Sequence, residues 1–224
     1  MNRAESNSPK TGDFAGRAIE ACQRLMGVTP TTWDAPGGTH RRSLRASLET
    51  GSVIVTRRRH ANRAALEVGV LRALAAYGAP VPRVIAAEDG WLIQEDLGEI
   101  RLSAALAGPG AAAWLEKAAE SLTAIHEAGR RAGLAERVMR IGAAPQWLRK
   151  NLLEAPTKVG HLVGRPPPHL DTARLSTLLS VFVPSFIKWD ARPGNAIARR
   201  DGSVAWFDWE HCGVRCALDD LVWL

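Results

Sequence analysis

Cysteine is scarce in this chain, and what there is does not form a framework. Cys22, Cys212 and Cys216 are an odd number, which predicts reduced thiols rather than disulfides. His211, Cys212 and Cys216 lack the second cysteine pair that a closed zinc site needs, so zinc is not expected. The opening stretch MNRAESNSPKTG has no apolar core of the kind a signal peptide requires, and residues 1–13 read as a disordered tail. The longest apolar stretch, 178–187, is short and interrupted by Pro184. No membrane span is therefore expected, and a cytoplasmic location is. Lysine is also rare: 24 of the 29 basic residues are arginine, spread along the whole chain, and no basic patch is interleaved with aromatics. The net charge of +6 thus reads as a solvated surface suited to a polyanionic nucleotide, and nucleic acid is not an expected partner, even with Arg41-Arg42 and Arg57-Arg58-Arg59 in view.

With 224 residues and 46% hydrophobic content, the chain can bury a full core in one or two domains. Helical spacing is visible over 14–26, and the segment that follows reads as strand, turn, strand over 33–58. There Gly37-Gly38-Thr39 forms a flexible turn and is the candidate phosphate cradle. A second helix runs from Asn62, a candidate cap, to Tyr77, with Leu66, Val70, Leu71 and Leu74 on one face. Glu67 lies at the edge of that face. It pairs either with Arg63 on the surface or inward with a basic residue of the preceding strand, Arg57. Strands at 84–87 and 91–95 are joined by Asp89-Gly90, after which alternation stops and helical spacing takes over at 114–127, 147–153 and 172–182. His126 reads as a packed or capping histidine.

The stretch FIKWDARPGNAIARRDGSVAWFDWE carries the chemistry. Asp201-Gly202 at its centre favours a two-residue hairpin turn. Counted outward from that loop, Ala198 faces Ala205 and Asn195 faces Asp208. Opposed residues of an antiparallel pair have their Cβ atoms roughly 4.5 to 5.5 Å apart, so an amide oxygen and a carboxylate can share one hard cation. Asp190, five residues before Asn195, falls near that cation in the place of a base.

These motifs resemble the aminoglycoside phosphotransferase and choline kinase group, small-molecule relatives of the protein kinases, over roughly 28–224. KWDARPGN is similar to that family's catalytic loop, His-Gly-Asp followed after four residues by Asn, and FDWE to its metal-binding Asp. LEVGVLRALAAYGAPVPRV resembles the helix that carries its glutamate, and WLIQEDL its hinge. The resemblance implies an α+β, protein-kinase-like two-lobed fold, shortened at the C-terminus. A strand-rich nucleotide-binding lobe over 1–95 is followed by a hinge at 96–100 and a mainly helical catalytic lobe over 101–224 with a metal-binding hairpin.

It further implies ATP or GTP with Mg²⁺ as cofactor and a small-molecule hydroxyl as phosphoryl acceptor. Asp190 would take the hydroxyl proton, Asn195 and Asp208 the metal, and Arg57 positioned by Glu67 the α- and β-phosphates, with Thr56 the competing strand position. The backbone of Glu95 and Leu97 would meet the base. From its place two residues before Asp190, and not from the resemblance, Lys188 is expected to add charge beside the transferred group. Asp220 resembles the family's buried structural aspartate. Two departures stand out: Lys188-Trp189 replaces His-Gly, and Arg57 replaces a strand lysine. The chain also ends where relatives continue with helices that wall the acceptor pocket. The apolar residues Leu218, Leu221, Val222, Trp223 and Leu224 call for cover, from their own lobe or from a second copy in a homodimer. The alternative reading is a nucleotide-binding module without turnover.

Overall fold

Alternation of apolar and polar side chains builds an antiparallel sheet of five strands in the computed structural model, which describes residues 11–36, 38, 42–142, 150, 154–167, 169–180 and 183–224. The strands are β1 (Thr32–Asp34), β2 (Ser43–Leu48), β3 (Gly51–Arg57), β4 (Val84–Glu88) and β5 (Trp91–Glu95), in the order β1-β2-β3-β5-β4. Register fixes which side chains share a face. Leu44, Val55 and Ile93 lie in one row across β2, β3 and β5, and Arg45, Ile54 and Gln94 in the next. The first row packs under helix α1 (Thr11–Met26) through Ala15, Ala18 and Cys22. The second row therefore faces away from α1, and it is the face that matters for the site.

Helix α1 begins at Thr11, inside the stretch expected to be a tail, while residues 1–10 lie outside the described residues. Helix α2 (Ala61–Ala76) connects β3 to β4 and buries Val70, Leu71 and Leu74. Its cap residue is His60, extended and without a side-chain capping bond, rather than Asn62. Asp89 (φ 48°) and Gly90 (φ 80°) are both left-handed, as a two-residue type I′ turn between β4 and β5 requires.

The second half of the chain is mainly helical: α3 (Leu102–Ala105), α4 (Ala111–Arg131), α5 (Ala155–Val163), α6 (Thr172–Ser180) and α7 (Leu218–Val222). The helix expected over 147–153 and the last two residues of the one expected over 172–182 lie outside the described residues, Lys150 excepted. Four short strands join in pairs, β6 (Ser185–Ile187) with β9 (Gly213–Arg215) and β7 (Ala196–Ala198) with β8 (Val204–Trp206). Leu71 and Leu74 of α2 share one core cluster with Leu122 and Ile125 of α4, Trp206 of β8, and Trp209. In that core the Trp206 indole N–H donates to Ser121 at 2.7 Å, and Phe186 stacks on Trp209 with ring centroids 6.2 Å apart. Gly129 lets α4 approach β6 this closely, since a Cβ there would stand 2.5 Å from the Phe186 ring. Leu224 packs against this core and Trp223 meets Trp189 edge-on, while Leu218 and Val222 stay exposed. Among the described residues, no helix is long and apolar enough to cross a membrane.

Candidate active site

A cavity of about 690 Å³ opens between the sheet and the β7–β8 hairpin. Ile54 and Thr56 of β3, residues 94–99, and Asn195, Ile197, Phe207 and Asp208 from the hairpin side all border it. Leu97, Ile197, Ala205 and Phe207 form a small apolar cluster of their own there, suited to a flat aromatic group.

The segment after β5 is held from below by one carboxylate. Asp96 accepts from the Arg45 guanidinium (Nε, 2.6 Å; Nη2, 3.2 Å), from the Ser52 hydroxyl at 2.7 Å and from the Gly98 N–H at 3.1 Å. Gly98 has a φ of 118°, which a residue with a Cβ rarely adopts. Burial pushes the Asp96 carboxyl up, but the hydrogen bonds from Arg45 and Ser52 outweigh it and hold the group below the usual carboxylate range. A folded-state value below the unfolded one adds stability above the unfolded value, about 3.9, and loses it as pH falls through the folded value. Asp96→Asn is therefore expected to flatten the loss of thermal stability below about pH 4, read by scanning calorimetry across pH 2 to 6.

Glu67 turns inward, and its partner is Arg58 rather than Arg57 or Arg63. The Arg58 guanidinium donates to both Glu67 oxygens (2.6 and 2.7 Å), to Asp208 Oδ1 (2.8 Å) and to Glu210 Oε1 (3.2 Å). Glu67 is fully buried and accepts a further bond from the Trp209 N–H at 3.0 Å. Burial alone would lower the Arg58 pKa, yet the bond to Glu67 and the charges of Glu67, Asp208 and Glu210 raise it. Arg57 instead lies over the Trp91 ring at 5.2 Å. Strand parity is the reason: Val53, Val55 and Arg57 point to the α1 side, and Ile54, Thr56 and then Arg58 to the cavity.

The hairpin register also differs from expectation. Ala198 pairs with Val204 and Ile197 with Ala205, so Asn195 opposes Phe207, whose N–H donates to the Asn195 carbonyl at 3.1 Å. Arg199 and Ser203 close a loop of three residues, not two, with Gly202 left-handed at φ 81°. The extra loop residue moves the pairing by one position. Asp208 comes one residue past Phe207 with φ 63°, so a backbone kink, not cross-strand pairing, brings it to the cavity beside Asn195.

Asp190 and Trp189 are consecutive left-handed residues, at φ 56° and 52°. Each costs on the order of 1 kcal/mol, and side chains behind the loop offset this. Asp220, fully buried, accepts from the Lys188 and Trp189 N–H groups, both at 2.8 Å, and lies 2.9 Å from His126 Nε2. Lys188 is not at the cavity surface where its charge was expected. It is fully buried, its ammonium donates to the carbonyls of Asp208 (3.1 Å) and Asp190 (3.4 Å), and Trp209 lies 5.4 Å away. Burial pushes its pKa down, against the nearby carboxylates of Asp208, Asp220 and Asp190.

The Asp190 carboxylate accepts from Asn195 Nδ2 at 3.0 Å and from Arg192 Nη2 at 2.8 Å. Asn195 spends its N–H groups on Asp190, which leaves Oδ1 for a cation, and Asp208 keeps Oδ2 beyond its bond to Arg58. One carboxylate plus one amide oxygen suits Mg²⁺, which keeps waters and phosphate oxygens as its other ligands. Among the described residues, no three His, Cys, Asp or Glu side chains gather into a metal cluster. Burial pushes the Cys212 thiol up to about 12, which makes it unreactive. Gly38 is left-handed at φ 84°, and Gly37 and Thr39 lie outside the described residues. Glu95 and Leu97 border the cavity; the Glu95 N–H is spent on the Arg83 carbonyl at 2.9 Å.

Arg58, Asp96, Gln94 and Arg192 were not read from the sequence as site residues. Parity along β3 separates Arg58 from Arg57 but does not say which of the two faces the cavity; nothing in the sequence distinguishes Arg192 from other exposed arginines. Gln94 is buried and its Oε1 has no hydrogen-bond partner among the described residues, an arrangement that costs about 1 to 3 kcal/mol.

A model of the phosphotransferase enzyme family matches residues 34–224. Among solved structures, the chain is similar to an AMP-bound spectinomycin phosphotransferase, with a TM-score of 0.61 at 12% identity over 93% of this chain and 73% of that one. It is also similar to a choline kinase from Streptococcus pneumoniae (TM-score 0.60, 16% identity, 95% of this chain and 74% of that one). A macrolide 2′-phosphotransferase from Brachybacterium faecium gives a TM-score of 0.59 at 14% identity, over 90% and 74% of the two chains. No curated protein matches. At such identities the structures establish the two-lobed, kinase-like fold, and the match over residues 34–224 establishes kinship: the chain belongs to the phosphotransferase enzyme family.

Proposed function

We propose that this protein transfers the γ-phosphoryl group of ATP or GTP, with Mg²⁺, to a hydroxyl of a small molecule. One observation carries the reading: Asn195 holds the Asp190 carboxylate at 3.0 Å and borders, with Asp208, the same cavity that the segment after β5 encloses. A metal ion bound there would neutralise charge on the phosphates and align them. Asn195 Oδ1 and Asp208 Oδ2 would hold it. Asp190 would accept the acceptor's proton on its carboxylate, and Asn195 fixes the orientation of that carboxylate. Arg58, whose Nε and Nη2 are held by Glu67 and Asp208, would meet a phosphate oxygen through Nη1, the nitrogen that also bonds Glu210. Lys188 keeps the backbones of Asp190 and Asp208 in one arrangement from behind.

The printed names of the structural neighbours span spectinomycin, choline and macrolide substrates, so the acceptor search is broad. Purified protein incubated with ATP, Mg²⁺ and a panel of aminocyclitols, amino alcohols, macrolides and sugars is expected to add one phosphate to a panel member, seen by mass spectrometry and lost without Mg²⁺. Nucleotide binding with no phosphate gain and no hydrolysis would favour a binding module instead. The bidentate hold of Arg192 on Asp190 favours that second reading, because it occupies the proposed base.

A further inference from the structure

Both oxygens of the proposed base are engaged. Arg192 Nε lies 2.5 Å from Asp190 Oδ1, and Oδ2 accepts from Arg192 Nη2 at 2.8 Å and from Asn195 Nδ2 at 3.0 Å. Asn195 borders the cavity, whereas Asp190 and Arg192 do not. With a nucleotide in the cavity, an acceptor therefore comes to Asp190 from the side on which the Arg192 guanidinium stands. Arg192 is exposed, and an exposed ion pair holds by a factor of at most about five. It yields readily to an incoming oxyanion.

We infer that Arg192 receives an anionic substituent of the acceptor, so that the substrate class is hydroxyl compounds carrying a carboxylate or a phosphate; this rests on the phosphotransferase reading of the site. A carboxylate or phosphate offers the guanidinium the same two-pronged partner that it gives up on Asp190. The other carboxylates beside this loop are taken. Asp220 holds the Lys188 and Trp189 N–H groups and lies against His126, and Asp219 holds Arg215 Nε at 2.6 Å, with the Arg215 guanidinium 5.8 Å from the Trp189 ring centre. An acceptor with ammonium groups would thus meet a guanidinium where it needs a carboxylate. An anionic acceptor would meet the cation that offsets its repulsion from the nucleotide phosphates. Once Arg192 has moved to the substituent, Asp190 Oδ1 is free for the hydroxyl. The acceptor O–P bond then forms as the bond from the γ-phosphorus to its bridging oxygen breaks, the nucleoside diphosphate leaves, and the hydroxyl proton passes to Asp190.

Matched pairs of acceptors test this through kcat/KM with ATP and Mg²⁺: glycerate against glycerol and gluconate against sorbitol for a carboxylate, and glucose 6-phosphate against glucose for a phosphate. In at least one pair the anionic member is expected to be better by about tenfold or more. Arg192→Met is expected to lower kcat/KM for that member by about the same factor, mainly through KM, and to raise its neutral partner by up to about fivefold, because Asp190 is released. Arg192→Lys, which keeps the charge without the fork, should fall between. Opposite shifts within one pair are what a merely structural role would not produce. Phosphate gain only on neutral or ammonium-bearing acceptors, or equal losses on both members of a pair in Arg192→Met, would overturn the inference and leave the phosphotransferase reading standing. Nucleotide binding with phosphate gain on none of these six compounds and none of the wider panel would overturn that reading, and the acceptor class with it.

Discussion

Asp190→Asn is expected to reduce turnover by a factor on the order of a hundred or more, with nucleotide affinity nearly unchanged. The substitution keeps the shape of the side chain and removes its ability to take a proton. It also leaves an acceptor oxygen for Asn195 Nδ2, now 3.0 Å from the carboxylate, so the loop should keep its conformation. The ion pair to Arg192 is lost, but that guanidinium is 54% exposed and remains solvated. The check is kcat from a coupled assay on the acceptor identified by the screen, alongside the nucleotide dissociation constant by calorimetry. Loss of binding in proportion to loss of turnover would make Asp190 a metal ligand instead of a base.

Arg58→Met is expected to destabilise the fold by about 3 to 5 kcal/mol, because it strands Glu67 as an unpaired buried carboxylate. The Trp209 N–H would remain as a partner, which is too little to hold a full charge. Coupling makes the test specific: the double variant Arg58→Met, Glu67→Leu should recover most of the loss, since replacing both partners of a buried pair by apolar groups is often close to neutral. Urea denaturation of the single and double variants gives the comparison. A single variant that unfolds within about 1 kcal/mol of wild type would mean that the pair carries little of the stability. Nucleotide binding should fail in both variants, because the double change restores packing without restoring a cation for the phosphates.

The fold class was legible because its signals are local and strong. The α2 face of Val70, Leu71 and Leu74, the Asp89-Gly90 turn and the strand lengths all follow from periodicity and turn chemistry. Arg58 was missed because both faces of β3 are covered. The apolar parity of Val53 and Val55, which ordinarily marks the inside, here faces α1, and the cavity face carries Ile54 and Thr56. A strand with two buried sides does not announce which side holds the chemistry. The hairpin erred for a different reason. Asp-Gly is compatible with loops of two residues or three, and only the tertiary bond from the Ala198 N–H to the Ile100 carbonyl, at 2.9 Å, together with the Arg199–Ser203 closure, fixes the pairing. Lys188 could not be placed because a charge buried at 0% exposure runs against every compositional expectation for lysine.

The bonds from Asp220 and Glu67 to backbone N–H groups have a bearing on how this loop would behave in deuterated water. Residues 188–190 and 207–209 belong to no strand or helix, and loops of that kind ordinarily exchange their amide hydrogens quickly. Here the N–H groups of Lys188, Trp189 and Trp209 are each capped by a carboxylate that is itself fully buried, and the ammonium of Lys188 ties the two segments through their carbonyls. Opening either segment would expose two buried acids and a buried base together, so these amides should exchange only in the same rare events that open the core. Rigidity of these two segments thus comes from titratable side chains rather than from a ladder of backbone bonds.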